Sequence, residues 1–217
     1  MTDLSHATLD ELRHALAPRI AANAGFDGWT DAALEMAADE LGVDRDVARL
    51  AFSGGALAMI DAWFSHVDDE MAARPSPGDL AVMKVRERIA ALVEARLEVM
   101  RDDRESLRRA LAILTLHPAR AASLGWRSVD RIWRAAGDAA VDYNHYTKRA
   151  ILLGVYAATA TVFLDDRSED FADTRAFLAR RIDGIMRFEK WKAGVANRAT
   201  YRPSLSRFVG RLRYPAR

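Results

Sequence analysis

Apolar residues recur three and four positions apart along almost the whole chain, in segments dominated by alanine, leucine, arginine and glutamate. That period gathers them on one face of an α-helix. No segment alternates convincingly as a strand would. Breakers and capping residues then cut the pattern into about nine helices. The first runs from about Leu9 to Ala22 and ends in Asn23 to Gly28. Thr30 caps a second that reaches Leu41, and Asp44, after the turn at Gly42, caps a short third ending near Phe52. Gly54-Gly55 precedes a fourth helix to about Ala73. Pro75-Ser76-Pro77-Gly78 is the clearest loop, after which Asp79 caps one long helix to about Met100. Further helices are expected over about 104–116, over 118–136 with an interruption near Gly125, over 143–164, and from Asp170 to about Lys192. Gly137 stands where a helix C-terminus favours glycine.

The uncharged run Ala150 to Leu164 is 15 residues long. A membrane span needs roughly 20, so this segment is expected as a buried core helix. The N-terminus carries acids early and lacks the apolar stretch of a signal peptide. At 217 residues, half of them apolar, the chain can bury a substantial core. Its formal charge is +1, so no global field selects a nucleic acid. There is no cysteine, which excludes disulfides, thiolate catalysis and zinc ribbons.

Charge changes the picture in two places. The segment Thr30 to Phe52 has a helix-turn-helix plan with a glycine at the turn. It carries Asp31, Glu35, Asp39, Glu40, Asp44 and Asp46 against Arg45 and Arg49, a net charge of −4. A DNA reader needs basic and polar groups on the second helix, so a structural corner is the favoured reading. From Arg187 to Arg217 there are nine basic residues and one acid, Glu189, a net charge of +8. Here Leu205, Phe208, Val209 and Leu212 fall at helical spacing beside Arg207, Arg211 and Arg213. Such a basic amphipathic helix suits an anionic membrane surface. Residues 1–53, 54–196 and 197–217 are expected as a helix-turn-helix region, a helical core and a membrane-associating tail.

Candidate chemistry is sparse. The acid-x-x-His spacing occurs at Asp3/His6, Glu11/His14 and Asp142/His145. A di-iron bundle needs two such motifs and two further carboxylates facing inward. Asp142 instead precedes an apolar periodic run just after a glycine, which is an N-cap position. No metal, cofactor or catalytic residue is expected, and no HExxH, GxSxG or phosphate loop occurs. With Asp142 as the cap, His145 and Tyr146 fall in an exposed first turn, with Arg149 one turn on. Gly154, Ala157, Ala158 and Thr161 form a small-residue stripe among bulky Ile151, Val155, Val162 and Phe163. Periodicity alone reads this as plain core. With Met100, Ile113, Trp126 and Trp133 it could also wall a pocket.

The chain resembles a known family in seven stretches. These are G-W-T-D-A-A-L, V-R-E-R-I-A-A-L-V-E-A-R-L, R-R-A-L-A-I-L, W-R-S-V-D-R-I-W-R-A-A-G-D, D-Y-N-H-Y-T-K-R-A-I-L-L-G-V-Y, L-D-D-R-S-E-D-F-A-D-T and F-L-A-R-R-I-D. It is similar to the lipid-binding accessory protein of ubiquinone biosynthesis, the ninth coenzyme Q protein, in its bacterial form. The resemblance covers about residues 10 to 195. It implies a TetR-like all-α fold with a helix-turn-helix remnant, no catalysis of its own, and homodimers. It implies that a polyisoprenoid quinone intermediate, or a phospholipid, is held by Met100, Ile113, Trp126, Trp133, Ile151, Gly154, Val155, Ala158 and Val162. Delivery to the demethoxyubiquinone hydroxylase would use a patch of Asp130, Ile132, Asp142, His145, Tyr146 and Arg149, on the inner face of the cytoplasmic membrane. Nucleic acid is not an expected partner. One departure bears on that patch: the family usually has tryptophan where this chain has His145, and Ala140-Val141-Asp142-Tyr143 replaces Ser-Thr-Asp-Phe.

Overall fold

The computed structural model describes Leu4, residues 7–138 and residues 143–185, the side chains of 77 and 143–145 excepted. The described residues hold ten α-helices and no strand. These are α1 (Leu9–Asp27), α2 (Asp31–Leu41), α3 (Arg45–Ala51), α4 (Ala56–Ala73), α5 (Pro77–Val82), α6 (Val85–Val99), α7 (Arg104–Thr115), α8 (Pro118–Ala135), α9 (Tyr143–Asp165) and α10 (residues 172–185), with a 3₁₀ turn at Glu169–Phe171 before α10. The chain forms two compact units, Met1–Leu178 and Ala179–Arg217. The first runs without a break past residue 53; of the second, residues 179–185 are described and are helical.

Local chemistry sets most helix starts. Thr8 and Glu11 form a reciprocal capping box on α1: the Thr8 hydroxyl accepts from the Glu11 N–H (3.3 Å) and the Glu11 carboxylate accepts from the Thr8 N–H (2.7 Å). Glu11 is therefore occupied as a cap partner and not paired with His14. Asp44 accepts from the Asp46 and Val47 amides and starts α3. Gly42 (φ 67°) gives the left-handed turn between α2 and α3.

Three expected boundaries are corrected. α1 continues past Ala22 to Asp27, because Ala21 and Ala24 are buried against its neighbours. The helix expected from Asp79 to Met100 is two. Ser76, not Asp79, caps α5 by accepting from the Asp79 amide, and the chain turns extended at Met83. Arg88 holds that break by donating to the carbonyls of Met83, Ala81 and Ala136. α8 is uninterrupted at Gly125. The glycine lets α9 approach, since a Cβ there would lie 2.6 Å from Leu153 Cδ1.

Around α1 the core is small and tight: Leu12, Leu16, Ala17, Ile20 and Ala24 are buried. Trp29, Trp63 and Phe64 form a tilted aromatic run with centroids 5.3 and 5.4 Å apart. Trp29 donates its indole N–H to the Ser106 carbonyl, and Ser106 donates to the Ala21 carbonyl.

At the centre lies a charged network. Arg96 on α6 has no exposed surface. It donates to Asp68 on α4 (2.8 Å), to Ser128 on α8 (3.1 Å) and to the Tyr156 hydroxyl on α9. Ser128 in turn donates to Asp68 (2.9 Å). The guanidinium also lies 5.2 Å from the Phe64 ring centroid and 4.9 Å from that of Tyr156. Burial opposes the arginine's charge, but Tyr156 and Asp68 outweigh it and hold Arg96 charged. Removing one member of such a buried pair strands the other. Arg96→Ala should lower the unfolding free energy by about 3–5 kcal/mol, and adding Asp68→Asn should recover part of that loss. Urea denaturation of the two variants checks both.

Candidate functional site

The α8–α9 corner gathers most of the expected partner residues, with two corrections. Ile132 has no exposed surface and belongs to the core. Arg149 is 1% exposed and is not a surface group. It donates to Asp130 (2.7 Å) and Asp138 (3.3 Å). Asp130 also takes Arg134 (2.7 Å), and Lys148 donates to Asp138 (3.0 Å) while standing 5.3 Å from the Trp133 ring centroid. Burial works against the Asp138 carboxylate, but Lys148 and Arg149 hold it below the usual carboxylate range. Arg149, which looks like a docking residue in the sequence, thus joins Lys148 in the latch that fixes the start of α9.

Among the described members Tyr146 is the exposed one, at 62%. Its ring stacks on Trp126 of α8, with centroids 6.1 Å apart and an interplanar angle of 26°. Asp142 lies outside the described residues, as does the His145 side chain. So do Leu205, Arg207, Phe208, Val209, Arg211, Leu212 and Arg213 of the tail.

The nine expected lipid residues do not share one surface. Met100 and Val155 are buried in the core. Ile113, Trp126, Trp133, Ile151, Ala158 and Val162 are half-buried, and Gly154 is exposed. Gly154 faces away from the bundle because the inward face of α9 is taken by Leu152, Val155, Tyr156, Thr159 and Phe163. A Cβ at Gly154 would meet nothing within 4 Å. By length and composition, Tyr146–Asp165 could cross a membrane, at a mean hydropathy of 1.2. Its polar members Arg149 and Tyr156 are nevertheless bound to α8 and α6. A hollow of about 390 Å³ lies elsewhere, between α6 and the 169–175 turn, lined in part by Glu94, Ala95, Arg101, Phe163, Phe171 and Arg175. Burial raises the Glu94 carboxyl there. None of the nine lines it.

The stretch L-D-D-R-S-E-D-F-A-D-T builds the turn from α9 into α10. Asp166 accepts from the Ser168 amide (2.8 Å) and hydroxyl (2.6 Å), and from the Thr174 amide (2.8 Å) and hydroxyl (2.6 Å). Burial alone would raise its carboxyl; these four bonds outweigh it and bring the pKa down to about 2. The bonds hold Asp170 (φ 49°) and Phe171 (φ 55°) in left-handed conformations that cost non-glycine residues energy. Phe171 packs on Phe163 (centroids 4.9 Å apart), with Arg101 and Arg104 over its ring. Arg104 and Arg108 donate to the carbonyls of Asp166 and Leu164 and so close the C-terminus of α9.

In the helix-turn-helix region both arginines are committed. Arg45 makes a two-pronged pair with Asp39 (2.9 and 2.6 Å) and reaches Glu35 (3.1 Å). Arg49 pairs with Glu35 and Asp46, each at 2.6 Å. A phosphate backbone would have to displace these acids. Among the described residues no group of three or more histidines and carboxylates is placed to hold a metal.

An all-α bundle with a helix-turn-helix at its N-terminal end is a TetR-like fold. The crystal structure of a TetR transcriptional regulator from Nitrosomonas europaea superposes with a TM-score of 0.62 at 27% identity, covering 80% of this chain and 97% of that one. Within that class the chain belongs to the COQ9 family. The family model matches residues 119–189, which take in nearly all of α8, α9, the 3₁₀ turn and α10. The ubiquinone biosynthesis protein COQ9, mitochondrial, of Rattus norvegicus is 34% identical over 73% of this chain and 54% of its own length. The protein of the same name from Bos taurus is 30% identical over 82% and 58%. The chain therefore spans little more than half the length of these relatives.

The Asp166 site gives a signed pH dependence. Its folded pKa lies below the unfolded value near 3.8, so its stabilisation is complete above about pH 4 and is lost as pH falls through about 2. Asp166→Asn should cost about 2 kcal/mol at pH 7 and almost nothing at pH 2. Thermal unfolding followed by circular dichroism across that range measures it.

Proposed function

We propose that this chain is a non-catalytic accessory protein of ubiquinone biosynthesis, which binds a polyisoprenoid quinone intermediate and offers its head group to the demethoxyubiquinone hydroxylase. The observation that carries this reading is the COQ9 match over residues 119–189, the segment containing the latched α8–α9 corner and the stacked Trp126–Tyr146 pair. An exposed tyrosine stacked on a half-buried tryptophan at a latched corner is the kind of surface interface hot spots use. The intermediate's isoprenoid tail is insoluble in water, so a protein at the membrane surface that shelters the tail leaves the ring for a partner enzyme. The basic segment 197–217 would hold the protein on the inner face of the cytoplasmic membrane, each cation near anionic lipid contributing about 1 kcal/mol. Homodimers fit the TetR-like fold.

Mass spectrometry of lipid co-purified from the native host tests the ligand. An isoprenoid quinone precursor is the expected finding, and protein free of any isoprenoid or phospholipid overturns the reading. Tyr146→Ala should weaken hydroxylase binding about tenfold without lowering the melting temperature. His145→Trp should strengthen it.

The TetR-like neighbour favours one second reading, a ligand-responsive transcription regulator. The ion pairs of Arg45 and Arg49 oppose it. Tight, specific binding to the upstream DNA of its own operon in a low-salt gel shift would establish that reading instead.

A further inference from the structure

Among the exposed apolar side chains, Phe26 at the end of α1 and Leu116 after α7 stand singly, while Val47 and Leu50 share α3 of the acidic helix-turn-helix. Single exposures are ordinary. The α5–α6 corner differs. Val82 is 87% exposed and Val85 is 52% exposed, with half-buried Met83 between them. Lys84 and Arg86, both exposed, flank these residues. The corner is not loose chain. Arg88 donates to the carbonyls of Ala81 and Met83 and fixes the backbone on both sides of the break. The Glu87 carboxylate accepts from the Lys84 amide and fixes the start of α6. The chain thus uses two side chains to hold a corner that presents valines to solvent.

We infer that this corner is a lipid-surface contact of the folded domain, in which Val82 and Val85 enter the boundary between headgroups and acyl chains while Lys84 and Arg86 lie among anionic headgroups. Branched aliphatics beside long basic side chains suit that boundary. A protein interface of this size would more often be built on aromatic anchors, which the corner lacks. Charge supports the same occupant. Residues 82–88 carry Lys84, Arg86 and Arg88 against Glu87, whereas the chain before Arg187 sums to −7. An anionic bilayer therefore attracts this corner, where the basic side chains stand beside exposed valines. Arg88 also donates to the Ala136 carbonyl at the C-terminus of α8, two residues from Asp138, where Lys148 and Arg149 latch α9. The inference needs only the part of the proposed function that puts this protein at a membrane; it does not depend on the tail or on the ligand's identity.

The chain has no cysteine, so one can be introduced and labelled cleanly. Full-length Val82→Cys and, as a reference, Phe26→Cys are labelled with an environment-sensitive fluorophore. They are mixed with phosphatidylcholine vesicles with and without phosphatidylglycerol, and co-sedimentation is scored in parallel. The expected result is a blue shift at position 82 on the anionic vesicles and none at position 26. Val82→Asp/Val85→Asp in the full chain should reduce anionic-vesicle binding about tenfold. Vesicle-bound protein whose label at position 82 stays in water overturns the corner assignment and leaves membrane association standing. Failure to bind anionic vesicles at all overturns both. A blue shift that requires membrane-free cell extract rather than lipid assigns the corner to a protein and overturns the lipid contact.

Discussion

A guanidinium without a water neighbour has to be satisfied on every side, and Arg96 organises this fold by that demand. Asp68, Ser128 and Tyr156 come from three different helices, α4, α8 and α9, and each fills a direction the arginine on α6 leaves open. A displaced helix would leave a charge or a hydroxyl unpaired in the core, which costs several kcal/mol. The surrounding alanine-rich and aromatic contacts supply much of the burial but little direction. The polar centre adds direction and so specifies one arrangement of the four helices.

The same device recurs at the ends of α9. Asp130 and Asp138 take Arg149 and Lys148 at its start. Arg104 and Arg108 take its last carbonyls, and Asp166 organises the turn that follows. Much of the sequence by which the chain resembles its family is spent on these latches. Those at the start of α9 fix the part of that helix that carries Tyr146 against Trp126. Order set in advance lowers the conformational entropy lost when any surface makes a contact.

The helix-turn-helix combines a regular turn with an acidic surface. Gly42 and the Asp44 cap preserve the turn. The two arginines that could face phosphate are drawn into pairs with Glu35, Asp39 and Asp46 on the same corner. What remains is an acidic helical corner packed on α1.

Helix type, most helix boundaries and the all-α class were legible in the chain by itself, because apolar period, caps and glycines act within a few residues of one another. Asp44 capping α3 and Gly137 (φ 88°) ending α8 are local facts that the spacing announces. The acidic character of the helix-turn-helix was legible for the same reason. Whether a charged residue is surface or core was not. Arg149 resembles an exposed docking group in the sequence and is buried, since its partners Asp130 and Asp138 sit 19 and 11 residues away. Arg96 resembles one more solvated helix arginine until α4, α8 and α9 close around it. The split of α5 from α6 depends on the same logic, because Arg88 reaches a carbonyl 48 residues distant. Long polar side chains take their environment from distant segments, so only the tertiary structure decided which of them hold the fold and which are left for solvent, lipid or a partner.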